Sequence, residues 1–81
     1  MQVKVRLFAR LREIAGTPAL VCSVTPGATV KAVWDALVTD HPALADYERS
    51  VSCAQNAAFA RMTAQVAEGD EVAFLPPVSG G

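Results

Sequence analysis

Histidine occurs once in these 81 residues, at His41, and cysteine twice, at Cys22 and Cys53. The two cysteines stand far apart, form no C-x-x-C pair and have no nearby histidine, so neither a metal site nor a catalytic Cys–His pair is expected. Both fall in apolar, strand-like runs, where a buried free thiol in a reducing cytoplasm is the natural reading. Aromatics amount to Trp34, Tyr47, Phe8, Phe59 and Phe74, and much of the 52% hydrophobic fraction is alanine, which leaves a small aliphatic core. There is no excess of positive charge: the net charge is −1, which argues against nucleic-acid binding. No apolar run reaches membrane-spanning length, and residues 1–12 alternate basic and apolar residues instead of forming a signal-peptide core. Glycine-rich phosphate loops, H-E-x-x-H and related catalytic signatures are missing as well, so an enzyme acting alone is not expected.

What remains is enough chain for one domain that buries roughly 60–65% of its unfolded surface, too little for a deep enclosed active site. Its charges are unevenly placed. Residues 1–31 carry Lys4, Arg6, Arg10, Arg12 and Lys31 against Glu13, a net +4, while residues 32–81 carry Arg49 and Arg61 against seven acids, a net −5.

Val3, Val5 and Leu7 alternate with Lys4 and Arg6, the period-two signature of a half-buried strand, here residues 2–8. Leu11, Ile14 and Ala15 follow at helical spacing and stop at Gly16, a residue suited to a left-handed helix end. A second strand alternates over Leu20–Thr25 before Pro26-Gly27 turns the chain. The strongest periodicity places Val30, Val33, Trp34, Leu37 and Val38 on one face of a helix capped by Thr29 and ended by His41-Pro42, with His41 near the negative end of the helix dipole. Residues 51–62 read as two short strands around Asn56-Ala57, and Glu68-Gly69-Asp70 turns into a last strand, Glu71–Leu75. One apolar helix face and one apolar sheet face satisfy each other in two layers. The expected class is α+β, with a mixed sheet packed on one main helix, compatible with the ubiquitin-like β-grasp architecture. A ferredoxin-like sandwich would need a second long helix, for which residues 43–49 are too short.

Residues 1–75 then form the domain, and Pro76-Pro77-Val78-Ser79-Gly80-Gly81 a tail. Two prolines lack the N–H a strand needs, so the chain leaves the sheet here, and six extended residues reach on the order of 20 Å. Two glycines without side chains could enter a channel too narrow for a Cβ and present a carboxylate there. Taken alone, a terminal Gly-Gly also suits a frayed end.

The stretch Gly69-Asp70-Glu71-Val72-Ala73-Phe74-Leu75-Pro76-Pro77-Val78-Ser79-Gly80-Gly81 resembles, without departure, the C-terminal signature of molybdopterin synthase small subunits (MoaD). Phe8-Ala9-Arg10-Leu11-Arg12-Glu13-Ile14-Ala15-Gly16 resembles the same family's first strand and short helix. Asn56 matches an asparagine usual after the third strand, whereas Gln55 stands where an aliphatic residue is more common. The resemblance implies a β-grasp sulfur carrier. Gly81 would be adenylated by a ubiquitin-activating-type enzyme that uses ATP, then converted to a thiocarboxylate by a sulfur donor enzyme, with Gly80 beside it and no resident cofactor or metal. Phe74, Leu75, Pro76, Pro77, Val78 and Ser79 would bind the partner, a molybdopterin synthase large subunit, in an assembly with two large subunits at its centre and one carrier at each end. The same tail logic serves a carrier for thiamine or another pathway, a protein modifier forming isopeptide bonds, or, without activation, a plain β-grasp interaction module.

Overall fold

The computed structural model describes residues 1–77. In β1 (Gln2–Leu7) the alternation of the sequence becomes geometry: Val3, Val5 and Leu7 are buried, while Gln2, Lys4 and Arg6 face solvent. The strand ends one residue earlier than expected, because Phe8 leaves the ladder to precede α1 (Ala9–Ala15). Helix α1 has no side-chain cap hydrogen bond at its N-terminus and is held by burial of Leu11. Gly16 ends it at φ 77°, with its N–H donating to the Arg12 carbonyl at 2.9 Å, the left-handed stop that glycine favours. β2 (Ala19–Ser23) returns antiparallel to β1. It is shorter than its pattern suggested, and beyond it the Val24 N–H donates to the Met1 carbonyl at 2.9 Å while the Met1 ammonium donates to the Val24 carbonyl at 2.8 Å.

Helix α2 (Val30–Asp40) buries Val30, Val33, Trp34 and Leu37 on the expected face. The Thr29 hydroxyl accepts from the Ala32 N–H at 3.3 Å, as the cap rule predicts. Two further first-turn donors, the N–H groups of Val30 and Lys31, reach the carbonyls of Ala64 and Met62 at 2.8 and 2.9 Å. The loop after residue 60 is thereby fastened to the helix start. At the other end the backbone of His41, not its imidazole, supplies the closing hydrogen bond, to Leu37. A short 3₁₀ helix over Pro42–Tyr47 then buries Leu44.

β3 (Ser52–Gln55), β4 (Ala58–Ala60) and β5 (Glu71–Leu75) complete one five-stranded sheet in the order β2-β1-β5-β3-β4. Only the central pair β1 and β5 is parallel. A mixed sheet with the last strand beside the first and α2 against one face is the β-grasp arrangement, α+β as expected. The core between the layers is formed by Trp34, Phe74, Leu7, Leu11, Leu37, Leu44 and valines, each contributing about 1.5–3 kcal/mol of burial. Cys22 and Cys53 are free and buried in it. Burial pushes both thiols above their ordinary pKa, with Asp40 adding to the effect at Cys22, so both stay protonated and unreactive near neutrality.

Asn56 and Ala57 both have positive φ, 51° and 70°, as a two-residue type I′ hairpin between β3 and β4 requires. Alanine is strained there, at a cost of about 1–2 kcal/mol. A polar cluster stabilises the turn from below. Asn56 exchanges hydrogen bonds with the backbone of Glu71 at 2.7 and 3.0 Å, and the Asp70 carboxylate accepts from Asn56 Nδ2, Gln55 Nε2 and the Ala67 N–H at 3.0, 2.8 and 2.8 Å. Gln55 also donates to the Gln65 carbonyl at 2.9 Å. This accounts for glutamine at an otherwise aliphatic position: the side chain lies at the open end of the core, where two acceptors meet it.

Those bonds, Asn56's first and then those from Ala67 and Gln55, hold the Asp70 carboxyl below the ordinary value of 3.8. Unfolding breaks them, so the stability they confer is complete above the ordinary aspartate value and is lost as pH falls through the lower folded value. Asp70→Asn replaces an acceptor by an amide that opposes the donors around it. The variant is expected to melt below the wild type at pH 7 and to converge with it below about pH 4. A constant gap in melting temperature from pH 7 to pH 3 would remove this role.

Candidate functional site

Strand β5 lies between β1 and β3, so its end is fixed from both sides. Leu7 stands opposite Phe74, and Ser52 opposite Leu75. Val72 and Phe74 point into the core, where the Phe74 ring packs 5.1 Å from that of Trp34 at 54°. Leu75 and Pro76 are half-buried and Pro77 is exposed. The strand stops at Leu75, in accord with the missing proline N–H groups.

This separates the residues that the sequence grouped together. Phe74, expected at the partner interface, has no exposed surface and is corrected to a core residue: the inward side of β5 leaves it nothing to offer a partner. Leu75, Pro76 and Pro77 lie at the surface where the chain leaves the sheet. Val78, Ser79, Gly80 and Gly81 lie outside the described residues.

The sequence reading missed an apolar row beside this exit. Across the outer face of the sheet, Arg6 stands opposite Ala73, Ala73 opposite Ala54, and Ala54 opposite Phe59. The two alanines make a low floor. Phe59, 90% exposed, rises on one side, and on the other the Arg6 guanidinium lies 5.8 Å over the Phe8 ring. The result is a shallow apolar trough that runs beside Leu75. Strict pairing around Asn56-Ala57 would have located Phe59, because residues on either side of a two-residue turn alternate faces together. Among the described residues, no group of three histidine, cysteine, aspartate or glutamate side chains could hold a metal ion. No described helix is long and apolar enough to cross a membrane.

Known proteins agree with this geometry along the whole chain. The molybdopterin synthase sulfur carrier subunit of Arabidopsis thaliana is 38% identical over 81 residues, taking in 100% of this chain and 84% of its own. Its counterpart in Escherichia coli (strain K12) is 39% identical over 82 residues, 98% of this chain and 99% of its own. The crystal structure of small archaeal modifier protein 1 (SAMP1) from Haloferax volcanii superposes with a TM-score of 0.87 at 36% identity, covering 100% of both chains. With residues 5–81 matching its pattern, the C-terminal Gly-Gly included, the chain belongs to the ThiS family.

Proposed function

We propose that this chain is the sulfur carrier subunit of a molybdopterin synthase. The observation that carries this reading is the likeness, along essentially the full chain, to relatives that bear that name. The position of the exit supports it. β5 is hydrogen-bonded on both sides and anchored through Phe74, so a segment starting at Pro76 has a rigid base from which to reach into a partner.

The chemistry follows from the tail. The Gly81 carboxylate attacks the α-phosphorus of ATP on an adenylating partner, and pyrophosphate leaves. A persulfide on a sulfur donor displaces AMP from the acyl adenylate, and reduction of the sulfur–sulfur bond by a thiol leaves a thiocarboxylate. Tethered to a domain docked on the large subunit, that sulfur reaches the pterin precursor at high effective concentration. The trough between Phe8 and Phe59 and the surface residues Leu75, Pro76 and Pro77 form the docking face, in an assembly of two large and two small subunits in the cytoplasm. The donor groups for catalysis belong to the partners.

Likeness to the Haloferax modifier favours a second reading in which a lysine amine, instead of sulfur, takes the acyl group from AMP. Both readings share the adenylate, and mass separates them. Incubation with an adenylating enzyme, ATP and a sulfur donor is expected to exchange one terminal oxygen for sulfur in the intact protein. Conjugates to lysines without that exchange would establish the modifier, and an unchanged mass beside an active enzyme would defeat both.

A further inference from the structure

All five arginines of the chain gather at one end of the sheet, the end from which the tail departs. Arg6 lies near the end of β1, opposite Ala73. Arg10 and Arg12 are on α1, which spans from the end of β1 to the start of β2. Arg49 lies three residues before Ser52, the partner of Leu75, and Arg61 follows Ala60, whose partner Cys53 stands opposite Phe74. All five are exposed. Among the described residues, only Arg10 has a carboxylate partner, Glu13 at 3.4 Å, and that pair is well exposed.

The two lysines add little to this group. Lys4 stands further down β1 beside Glu71, and Lys31, whose N–H reaches the carbonyl of Met62 next to Arg61, has its ammonium paired with Asp35 and Glu48. The opposite end of the sheet holds Glu68, whose carboxylate accepts from the Gln2 N–H, and Asp70. Glu13, Asp46 and Glu48 lie on or beside the same elements as Arg10, Arg12 and Arg49, so the five arginines leave a modest positive excess where the tail departs, while the start of β5 is acidic. The residue type is informative as well. Guanidinium is a planar fork that binds carboxylates with two parallel hydrogen bonds, whereas lysine offers a point charge.

We propose that this arginine collar docks on an acidic rim around the cleft that receives the tail in the adenylating partner. The identity of that partner rests on the carrier reading above; the acidic complement rests on the collar alone. Collar contacts at the rim act mainly on the rate of encounter, as exposed charges do.

Stopped-flow association of the full chain with the ATP-loaded adenylating enzyme tests this. Arg12→Glu and Arg49→Glu are each expected to slow association about fivefold or more at 50 mM NaCl, and Lys4→Glu, with the same change in net charge, less than twofold. At 0.5 M NaCl, where screening reaches only a few ångström, the differences are expected to close. Melting curves check the fold of each variant, and Arg12→Gln and Arg49→Gln give the same order with smaller slowing. Equal slowing by Lys4→Glu would reduce the collar to net charge, and no slowing by either arginine variant would overturn it. Arginine-dependent binding of a duplex oligonucleotide would assign the collar to phosphates and overturn it too. A wild-type chain that gains no sulfur yet shows the arginine and salt dependence would defeat the carrier reading and leave the collar standing. Normal sulfur loading with rates indifferent to Arg12 and Arg49 would do the reverse.

Discussion

Deleting Gly81 is expected to abolish sulfur transfer, to the background of a reaction without carrier, while the melting temperature stays within about 1 °C of the wild type. The first half rests on chemistry. Adenylation needs a free carboxylate at a position set by the length of the tail, and removing one residue withdraws it by about 3.3–3.6 Å, more than near-attack geometry tolerates. A one-residue extension beyond Gly81 is expected to fail for the same reason. The second half rests on the fold: among the described residues the last core residue is Phe74, and the last strand ends at Leu75. Intact mass after incubation with the activating enzyme, a transfer assay and a thermal melt read the two halves separately. Persistent sulfur loading on the truncated chain would show that Gly81 is not the acceptor. A lowered melting temperature would show that the tail is structural.

Much of this architecture is legible in the sequence because single elements here have single, strong causes. β1 follows from strict alternation, α2 from five apolar residues at helical spacing with Thr29 before them, and the α1 stop from Gly16. What the sequence hid depends on tertiary partners. The 3₁₀ helix over Pro42–Tyr47 is stabilised by burying Leu44, which no local pattern announces. Gln55 breaks the expected apolar pattern of β3, and only the fold brings Asp70 and the Gln65 carbonyl to its amide. The site divides in the same way. The exit at Pro76-Pro77 is a backbone property and can be read locally, whereas the Phe59 trough and the arginine collar exist only once strand order sets distant residues side by side. Phe74 was placed at the interface from its nearness to the tail in sequence. Its side of β5 faces α2, and side of strand overrides nearness.

Phe74→Ala is accordingly expected to act on stability before it acts on docking, with a loss of about 3–5 kcal/mol. The ring is fully buried against Trp34 and is among the largest side chains in the core, so its removal leaves a cavity that a sheet hydrogen-bonded on both sides of β5 cannot collapse to fill. A domain of this size has roughly 4–12 kcal/mol of total stability, so the variant sits near its unfolding midpoint or well down the slope toward it. Urea melts followed by the fluorescence of Trp34 are expected to show the midpoint falling in the order wild type, Phe74→Leu, Phe74→Ala, since leucine keeps much of the volume. At a temperature where the alanine variant is still folded, sulfur loading of the folded fraction is expected to remain, because no atom of Phe74 reaches the surface. A core role cannot survive a Phe74→Ala protein as stable as the wild type that loses only its affinity for the large subunit; that outcome would return the residue to the interface.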